Sequence, residues 1–261
     1  MSNLDTVNYS VVNQVATISL NRPKAMNAFN QQMRSDLLIA IERANDDADV
    51  RVVVIASEGR GFSAGADLTE NYRTHHENIE SQIMVEYKPF LMAIYESPKL
   101  FISSVQGAAA GIGSSLAMVC DLGIMSEDAY IYQAFAAIGL VPDGGANWHL
   151  LNRLGHKRAL EMIVSSEKMP AATCLEFGLV NRVVETDELT TQTQQWAESL
   201  VRGAPLSQRY SKEILQQAAQ MSLSETIDLE AKRQNITITS KDAKEGAMAF
   251  FQKRKPTFVG A

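Results

Sequence analysis

Cysteine is scarce in this sequence. Only Cys120 and Cys174 occur among its 261 residues, and neither lies in a paired spacing or close to a histidine. This pattern excludes a disulfide framework and a cysteine-based zinc motif. We expect both residues to be reduced core residues of a cytoplasmic protein, without a metal site.

An excess of basic residues is also missing. The sequence has 24 lysines and arginines against 30 aspartates and glutamates, which gives a net charge of −6. Proteins that bind nucleic acids normally present a strongly basic surface. We therefore expect no nucleic-acid partner.

The sequence lacks an unbroken apolar segment of membrane-spanning length. Residues 100–120 are uncharged and number about as many as a membrane helix requires, but Gly107, Gly111, Gly113 and two serine pairs interrupt them. Such breakers favour a strand, a turn and a helix. The first six residues are polar and do not resemble a secretory signal. We expect neither a membrane association nor secretion.

Hydrophobic periodicity predicts an α/β protein. The predicted strands are residues 9–12, 15–20, 52–56, 101–105, 122–125 and 180–184. Helices are predicted for residues 33–44, with Asn30 as the N-cap, and 111–119, and further along for 157–164, 171–177, 186–201, 206–221, 224–234 and 241–252. Alternation of strands and helices indicates a mostly parallel sheet. We predict an α/β core over residues 1–190 and a helical part over residues 191–261.

Two turns rich in small residues follow predicted strands. In residues 62–68, Asp67 and Glu70 have the spacing of a capping box, which predicts the start of a helix. Residues 107–115 open another helix and expose backbone N–H groups at its positive end. Each turn alone favours a structural role. Together, their N–H donors could hold an oxygen anion.

Five short segments carry a family resemblance. They are Asn21-Arg22-Pro23-Lys24-Ala25-Met26-Asn27-Ala28, Ser63-Ala64-Gly65-Ala66-Asp67-Leu68, residues 105–113 with Cys120-Asp121, Gly139-Leu140-Val141-Pro142-Asp143-Gly144-Gly145, and Glu176-Phe177-Gly178-Leu179-Val180. In this order they resemble the successive motifs of the crotonase (enoyl-CoA hydratase/isomerase) superfamily over almost the whole chain.

The resemblance implies a fold, a substrate and an assembly. The fold would be a spiral of ββα units with a C-terminal helical trimerisation region, assembled as a homotrimer or a dimer of trimers. The substrate would be an acyl-CoA thioester, with CoA as part of the substrate and no separate cofactor. The resemblance also implies that the backbone N–H groups of Ala64 and Ile112 hold the thioester oxygen. The residues that it places around the substrate are Lys24, Ala25, Met26, Ala66, Asp67, Leu68 and Phe135.

Two departures from the family pattern bear on the reaction. The positions of the two glutamates that hydratases of the family need are occupied by Ser115 and Phe135. Neither side chain is an acid or a base near neutral pH, so hydration of a 2-enoyl thioester is disfavoured. Asp143 is the remaining candidate base. Its Pro-Asp-Gly-Gly context is also typical of a simple turn, but isomerases of the superfamily carry a carboxylate at this position.

The sequence therefore predicts an acyl-CoA isomerase that converts 3-enoyl-CoA to 2-enoyl-CoA with Asp143 as its single base. Several alternatives remain open: oxepin-forming ring isomerisation, attack by Asp143 on an aryl thioester, residual hydratase activity, and a non-enzymatic acyl-CoA-binding or RNA-binding protein. His75 and His76 lie in the least patterned stretch, residues 71–86, and we expect them to be solvated.

Overall fold

The computed structural model describes residues 4–261, so the first three residues of the polar N-terminus lie outside the described part. The strands are β1 (Val7–Val12), β2 (Val15–Leu20), β3 (Val52–Ser57), β4 (Leu100–Val105), β5 (Ala108–Ala110), β6 (Leu122–Ser126), β7 (Tyr130–Tyr132), β8 (Lys168–Pro170) and β9 (Arg182–Val184). The helices are α1 (Gln31–Asp46), α2 (Ile79–Gln82), α3 (Lys88–Tyr95), α4 (Ile112–Val119), α5 (Ala146–Ser165), α6 (Ala171–Glu176), α7 (Leu189–Val201), α8 (Pro205–Ala218), α9 (Leu223–Thr237) and α10 (Lys241–Phe251). A π-helical stretch, Ile83–Tyr87, joins α2 to α3.

A six-stranded sheet in the order β1-β2-β3-β4-β6-β9 forms the centre of the fold. Strands β1 and β2 pair as an antiparallel hairpin, and the other neighbours in this sheet are parallel. Asn13 and Gln14 connect the hairpin with φ of 51° and 64°, the positive values that a tight two-residue turn requires. The mixed α/β fold with C-terminal helices that the sequence predicts is confirmed.

Helices cover both faces of the large sheet. On one face lies the main core, to which α1 contributes Met33, Leu37 and Ile41, all fully buried. The side chain of Asn30 caps α1 by accepting from Met33 N at 3.0 Å, as the sequence predicts. On the other face, Trp196 of α7 packs in a second cluster with residues of β3 and β6. The predicted boundary at residue 190 falls within α7 and stays a prediction.

A second, three-stranded sheet in the order β5-β7-β8 was not predicted. Each of its strands has only three residues, and β5 consists of alanine alone. Such short segments give no recognisable alternation of apolar and polar residues. The expectation of no strand after residue 155 other than 180–184 is therefore wrong, because β8 pairs with β7.

Helix α5 extends further than predicted. The sequence predicts a helix over residues 157–164, whereas α5 begins at Ala146 and has one break, at Gly155, with φ of 73° and ψ of 167°. His149 and His156 lie on either side of this break. The predicted helix over residues 157–164 covers only the part of α5 that follows the break.

The C-terminal helices are attached to the core through a buried ion pair. Lys212 of α8 reaches Asp121 with an Nζ–Oδ2 distance of 3.0 Å and also donates to the carbonyl groups of Ile94 and Lys99. Burial raises the pKa of Asp121 even though Lys212 opposes the shift. Removing either partner of such a buried pair costs about 3–5 kcal/mol, because the other charge is left unpaired.

The two cysteines are as the sequence predicts, whereas the uncharged stretch contains a short strand where a turn was predicted. Cys120 and Cys174 are both buried and free. The stretch from residue 100 to residue 120 divides into β4, β5 and α4. Within residues 4–261, none of the helices is both long enough and apolar enough to cross a membrane.

Candidate active site

The segment that follows β3 runs alongside β5. Ser63 pairs with Ala109 as an isolated parallel bridge, with Ser63 N donating to Ala108 O at 2.9 Å and Ala110 N donating to Ser63 O at 2.8 Å. This bridge brings the first predicted turn, residues 62–68, against the second, residues 107–115. No local sequence pattern predicts this pairing, although the N–H donors of the two turns were expected to be able to hold one oxygen anion.

Two glycines permit the backbones of these turns to touch. A Cβ atom at Gly65 would lie 3.0 Å from the carbonyl oxygen of Ala110 and 3.6 Å from Cα of Gly111. Gly65 has φ of +94° and Gly111 has φ of +51°, values that side chains disfavour. The residues that follow these glycines, Ala66 and Ile112, therefore lie on adjoining pieces of backbone.

The N–H groups of Ala66 and Ile112 are unoccupied. Ala66 forms a parallel bridge with Phe29 in which Phe29 N donates to Gly65 O and Asp67 N donates to Phe29 O, so that the N–H of Ala66 itself points away from Phe29. Ile112 is the first residue of α4, where backbone N–H groups have no intrahelical acceptor. No acceptor for either N–H exists within residues 4–261. The positive end of α4 favours an anion here.

The structure corrects one expected oxygen-binding residue. Ala64 N donates to Met26 O at 2.8 Å. This N–H already has an acceptor, so it does not fit the role of holding a thioester oxygen. Because Ser63 faces β5, the next N–H along the extended chain points to the opposite side, towards Met26. In the same turn, Ala66 lies two residues further along the chain, and its free N–H makes it the candidate donor in place of Ala64.

The turn that carries Asp143 packs against the first turn of α4. The hydroxyl of Ser115 donates to the carbonyl oxygen of Asp143 at 3.0 Å. A Cβ atom at Gly144 would lie 2.2 Å from Cδ1 of Ile112 and 2.9 Å from Cβ of Ser115, so only glycine fits this contact. The turn and the N–H of Ile112 are therefore held in a fixed relation.

The carboxyl group of Asp143 is poorly solvated. Its Oδ1 atom is buried and has no hydrogen-bond partner within residues 4–261. Burial raises the pKa of Asp143 to about 6. The neighbouring Tyr87 is also buried, and burial, with a smaller contribution from the charge of Asp143, raises its pKa to about 12. A carboxylate of this kind is a stronger base than an exposed aspartate.

Neither Ser115 nor Phe135 is placed to act as an acid or a base. Ser115 is fully buried, and its hydroxyl is used on the backbone of Asp143. The ring of Phe135 lies over Gly111, with Cζ 3.7 Å from the position that a Cβ atom would take there. Phe135 thus covers one side of the free N–H groups with an apolar surface.

The residues expected near the substrate from the first motif form a short turn. Lys24 and Ala25 belong to a 3-10 helix, Pro23–Ala25, and Met26 follows in the left-handed region with φ of 51°. Lys24 is exposed. The carbonyl of Met26 accepts from Ala64, so this turn lies directly beside the segment that carries Ala66.

The expected helix after Asp67 is absent. Asp67 Oδ1 accepts from the N–H and the hydroxyl of Thr69, and Oδ2 lies 3.0 Å from Arg22. These partners lower the pKa of Asp67, the hydroxyl of Thr69 making the largest contribution. Residues 67–70 form a turn instead, and Glu70 accepts from the backbone N–H of Gln31. Asp67 and Glu70 therefore hold this turn and the start of α1 and do not cap a helix of their own. Leu68, also expected near the substrate, is 76% exposed.

A buried charged cluster lies beside Tyr87, and the sequence did not reveal it. Arg34 of α1 is 2% exposed and lies 2.7 Å from Glu70 and 2.6 Å from Glu86. His76 lies 3.1 Å from Glu86 and is 9% exposed, so the expectation that it is solvated is wrong, whereas His75 is exposed. Burial opposes ionisation of Glu86, but His76 and Arg34 outweigh it and lower its pKa.

This cluster joins segments that are more than 30 residues apart in the sequence, so local patterns contain no signal for it. Within residues 4–261, no group of three or more histidine, cysteine, aspartate or glutamate side chains is arranged to hold a metal ion. That the reaction needs no metal stays a prediction.

Comparisons with known proteins agree on one family. The model of the protein family described as "Enoyl-CoA hydratase/isomerase" matches residues 10–261. The chain is 35% identical over 255 residues to a "Probable enoyl-CoA hydratase" of Rhodobacter capsulatus, with 98% of each chain covered. It is 33% identical over 255 residues to the "Trans-2-decenoyl-[acyl-carrier-protein] isomerase" of Streptococcus mutans, with 97% of each covered. It is 32% identical over 249 residues to the "1,2-epoxyphenylacetyl-CoA isomerase" of Escherichia coli, with 94% of this chain and 95% of that protein covered.

A solved structure agrees with the fold. The crystal structure of an enoyl-CoA hydratase/isomerase from Mycobacterium abscessus superimposes with a TM-score of 0.93 at 32% identity, covering 98% of this chain and 100% of that one. The relatives' names include both hydratases and isomerases. The choice between these two reactions therefore depends on the residues of the site.

Proposed function

Because the chain belongs to the enoyl-CoA hydratase/isomerase family, we propose that it is an acyl-CoA double-bond isomerase. It converts a 3-enoyl-CoA to the conjugated 2-enoyl-CoA with Asp143 as its single base. The observation that carries the proposal is the carboxyl group of the half-buried Asp143, whose Oδ1 is buried and free and whose pKa is raised. Ser115 and Phe135 occupy the positions where a hydratase needs two glutamates.

The reaction begins with removal of a proton from C2 of the acyl group by Asp143. The electron pair of that C–H bond moves towards the thioester carbonyl and generates an enolate. The N–H groups of Ala66 and Ile112 and the positive end of α4 stabilise the oxygen of this enolate. One oxyanion donor of this kind contributes about 2.7–4 kcal/mol in well-studied enzymes.

The same carboxyl group completes the reaction. Protonated Asp143 returns its proton to C4, the double bond moves from C3–C4 to C2–C3, and the carbonyl is restored. No atom is gained or lost overall, so neither water nor a redox cofactor takes part. Phe135 supports this outcome because an apolar ring beside the enolate excludes the water that hydration would need. A pKa of about 6 suits a group that both takes and returns a proton near neutral pH.

The names of two relatives support an isomerase. The proteins of Streptococcus mutans and Escherichia coli, each more than 30% identical to this chain, are both isomerases by name. The name of the Escherichia coli protein also supports a second candidate reaction, ring isomerisation of an epoxide. One carboxylate and two N–H donors are sufficient for that reaction too. Conversion of 3-hexenoyl-CoA and of 1,2-epoxyphenylacetyl-CoA by the same preparation distinguishes the two.

The experiment that tests the proposal compares two substrates. With 3-hexenoyl-CoA we expect formation of the conjugated isomer, followed by the absorbance of the 2-enoyl thioester. With crotonyl-CoA we expect no more than a residual rate of hydration, because Ser115 and Phe135 supply neither acid nor base. A hydration rate in the ordinary enzymatic range of about 1–1000 per second would overturn the proposal.

A further inference from the structure

A cleft of ≈ 360 Å³ lies beside the Asp143 turn. The turn itself forms part of its wall through Gly144 and Gly145. The remaining wall is mostly apolar and comes from the helical stretch before β4, the end of α4 and the start of α5. Its apolar lining residues are Ile83, Leu91, Met92, Tyr95, Val119 and Trp148.

One helix face leads from the Asp143 carboxyl group to this cleft. Tyr87, Leu91 and Tyr95 recur at four-residue intervals, so they lie on the same side of the helix. Tyr87 is close enough to Asp143 for its pKa to respond to that charge, whereas Leu91 and Tyr95 line the cleft. Gly144 follows Asp143 directly. The cleft therefore adjoins the candidate site through the turn and through one side of the helix.

The interior of the cleft is apolar and aromatic. The rings of Tyr95 and Trp148 meet edge to face, with centroids 6.0 Å apart. Burial, helped by Arg153, lowers the pKa of His149 to about 4, so its ring is uncharged near neutral pH. Lys88 is the charged residue among the lining residues and is exposed. Such surroundings favour an uncharged, apolar group.

We propose that this cleft holds the tail of a linear acyl group of about 8–12 carbons, an inference that rests on the proposed action on acyl-CoA thioesters. A volume of ≈ 360 Å³ corresponds to about a dozen water-sized groups of ~30 Å³ each. A tail of about four to eight carbons beyond C4 fits this space. Short acyl groups leave it empty, and much longer ones extend out of it.

Binding of saturated acyl-CoA thioesters tests the inference without any catalysis. We expect the affinity measured by calorimetry to rise from butanoyl-CoA to decanoyl-CoA, by at most about fourfold for each added methylene. It should change little beyond dodecanoyl-CoA. Equal affinities for butanoyl-CoA and decanoyl-CoA would overturn the proposal, and so would phenylacetyl-CoA binding more tightly than decanoyl-CoA.

A substitution that fills the cleft provides the second test. Met92→Trp should weaken decanoyl-CoA binding at least tenfold and leave butanoyl-CoA binding within twofold. The matched control is Leu160→Trp, which places the same ring on the exposed second half of α5. If Met92→Trp does not fold, Val119→Phe fills the same space from α4. Equal losses for both thioesters in the folded variant would contradict the proposal.

These measurements separate the two proposals. Binding that depends on chain length in a protein without isomerase activity would overturn the proposed reaction and support the assignment of the cleft. Isomerisation that is equally fast for six-carbon and ten-carbon substrates, with binding that is independent of chain length, would overturn the assignment of the cleft alone.

Discussion

At the scale of single residues, Asp143 combines burial with an Oδ1 atom that has no hydrogen-bond partner in the described chain. A carboxylate in this position is less stable in the folded protein than in the unfolded chain, which is what its raised pKa of about 6 expresses. The residue therefore destabilises the fold at neutral pH. Destabilising groups of this kind cluster at functional sites.

This argument predicts how stability depends on pH. A carboxyl group whose pKa is raised in the folded protein binds its proton more tightly there than in the unfolded chain. Its destabilising effect on the fold is therefore absent below the unfolded pKa of 3.8 and complete above a pH of about 6. We expect Asp143→Asn to melt at nearly the same temperature as the parent at pH 4 and at a higher temperature at pH 8. Thermal melts from pH 4 to pH 8 measure this difference, with the exposed residue change Glu127→Gln as the control. A variant less stable than its parent at pH 8 would refute the account.

At this scale the family resemblance named Asp143 and Ile112, and their catalytic roles stay predictions. It also named the N–H of Ala64, which the structure shows donating to Met26 O. The sequence could not exclude Ala64, because the direction of each N–H depends on which neighbour the preceding residue pairs with. The bridge between Ser63 and Ala109 decides this direction, and the sequence contains no local signal for that bridge.

At the scale of elements, the contact between the Asp143 turn and α4 positions the site. Gly144 lies against Ile112 and Ser115, the residues that supply the free N–H and hold the carbonyl of Asp143. A side chain at residue 144 has no space, and the backbone there has φ of +60°. Any displacement moves the proposed base relative to the proposed oxygen-binding groups.

Two glycine substitutions separate the effect of space from the effect of backbone conformation. Gly144→Ala should destabilise the protein by about 2–5 kcal/mol, from overpacking of about 1–3 kcal/mol and a strained backbone of about 1–2 kcal/mol. It should also lower the isomerisation rate at least tenfold. Gly139→Ala is the matched control, since its φ is +74° and no atom lies within 4 Å of the added Cβ. It should cost only about 1–2 kcal/mol and leave the rate unchanged. Equal effects of the two changes on the rate would contradict a positioning role for this contact.

Sequence reasoning missed the helical stretch from α2 to α3 and three short strands. Longer apolar runs such as β3 and the capped helix α1 were predicted to within a few residues, because burial imposes a visible period on them. The three-residue strands β5, β7 and β8 are too short for a period. Their existence depends on pairing with one another.

At the scale of the whole molecule, large apolar side chains remain exposed on the C-terminal helices. Leu223 on α9 and Phe250 and Phe251 on α10 are 78%, 80% and 83% exposed. Patches of this kind usually mark an interface. We propose that the chain assembles as a homotrimer or a dimer of trimers, in which neighbouring copies cover these residues.

The proposed assembly has a defined mass. Three chains of 28.7 kDa give about 86 kDa, and a dimer of trimers gives about 172 kDa. Light scattering coupled to gel filtration at micromolar concentration measures this mass directly. Phe250→Ser combined with Phe251→Ser should shift the mass towards that of one chain, whereas Val11→Ser, a change at an exposed residue of β1, should not. A parent protein that runs as a monomer would exclude the assembly.

The central claim is that one carboxylate moves the proton, and Asp143→Asn tests it most directly. Asparagine keeps the size and the turn preference of aspartate but cannot act as a base. We predict that the variant folds and binds acyl-CoA like the parent, while conversion of a 3-enoyl-CoA to the 2-enoyl isomer falls at least about 100-fold. Exchange of the C2 protons for deuterium should fall in parallel, and the exposed control Glu127→Gln should remain within a few-fold of the parent. Isomerisation and C2 exchange by Asp143→Asn at near the parent rate would contradict the account.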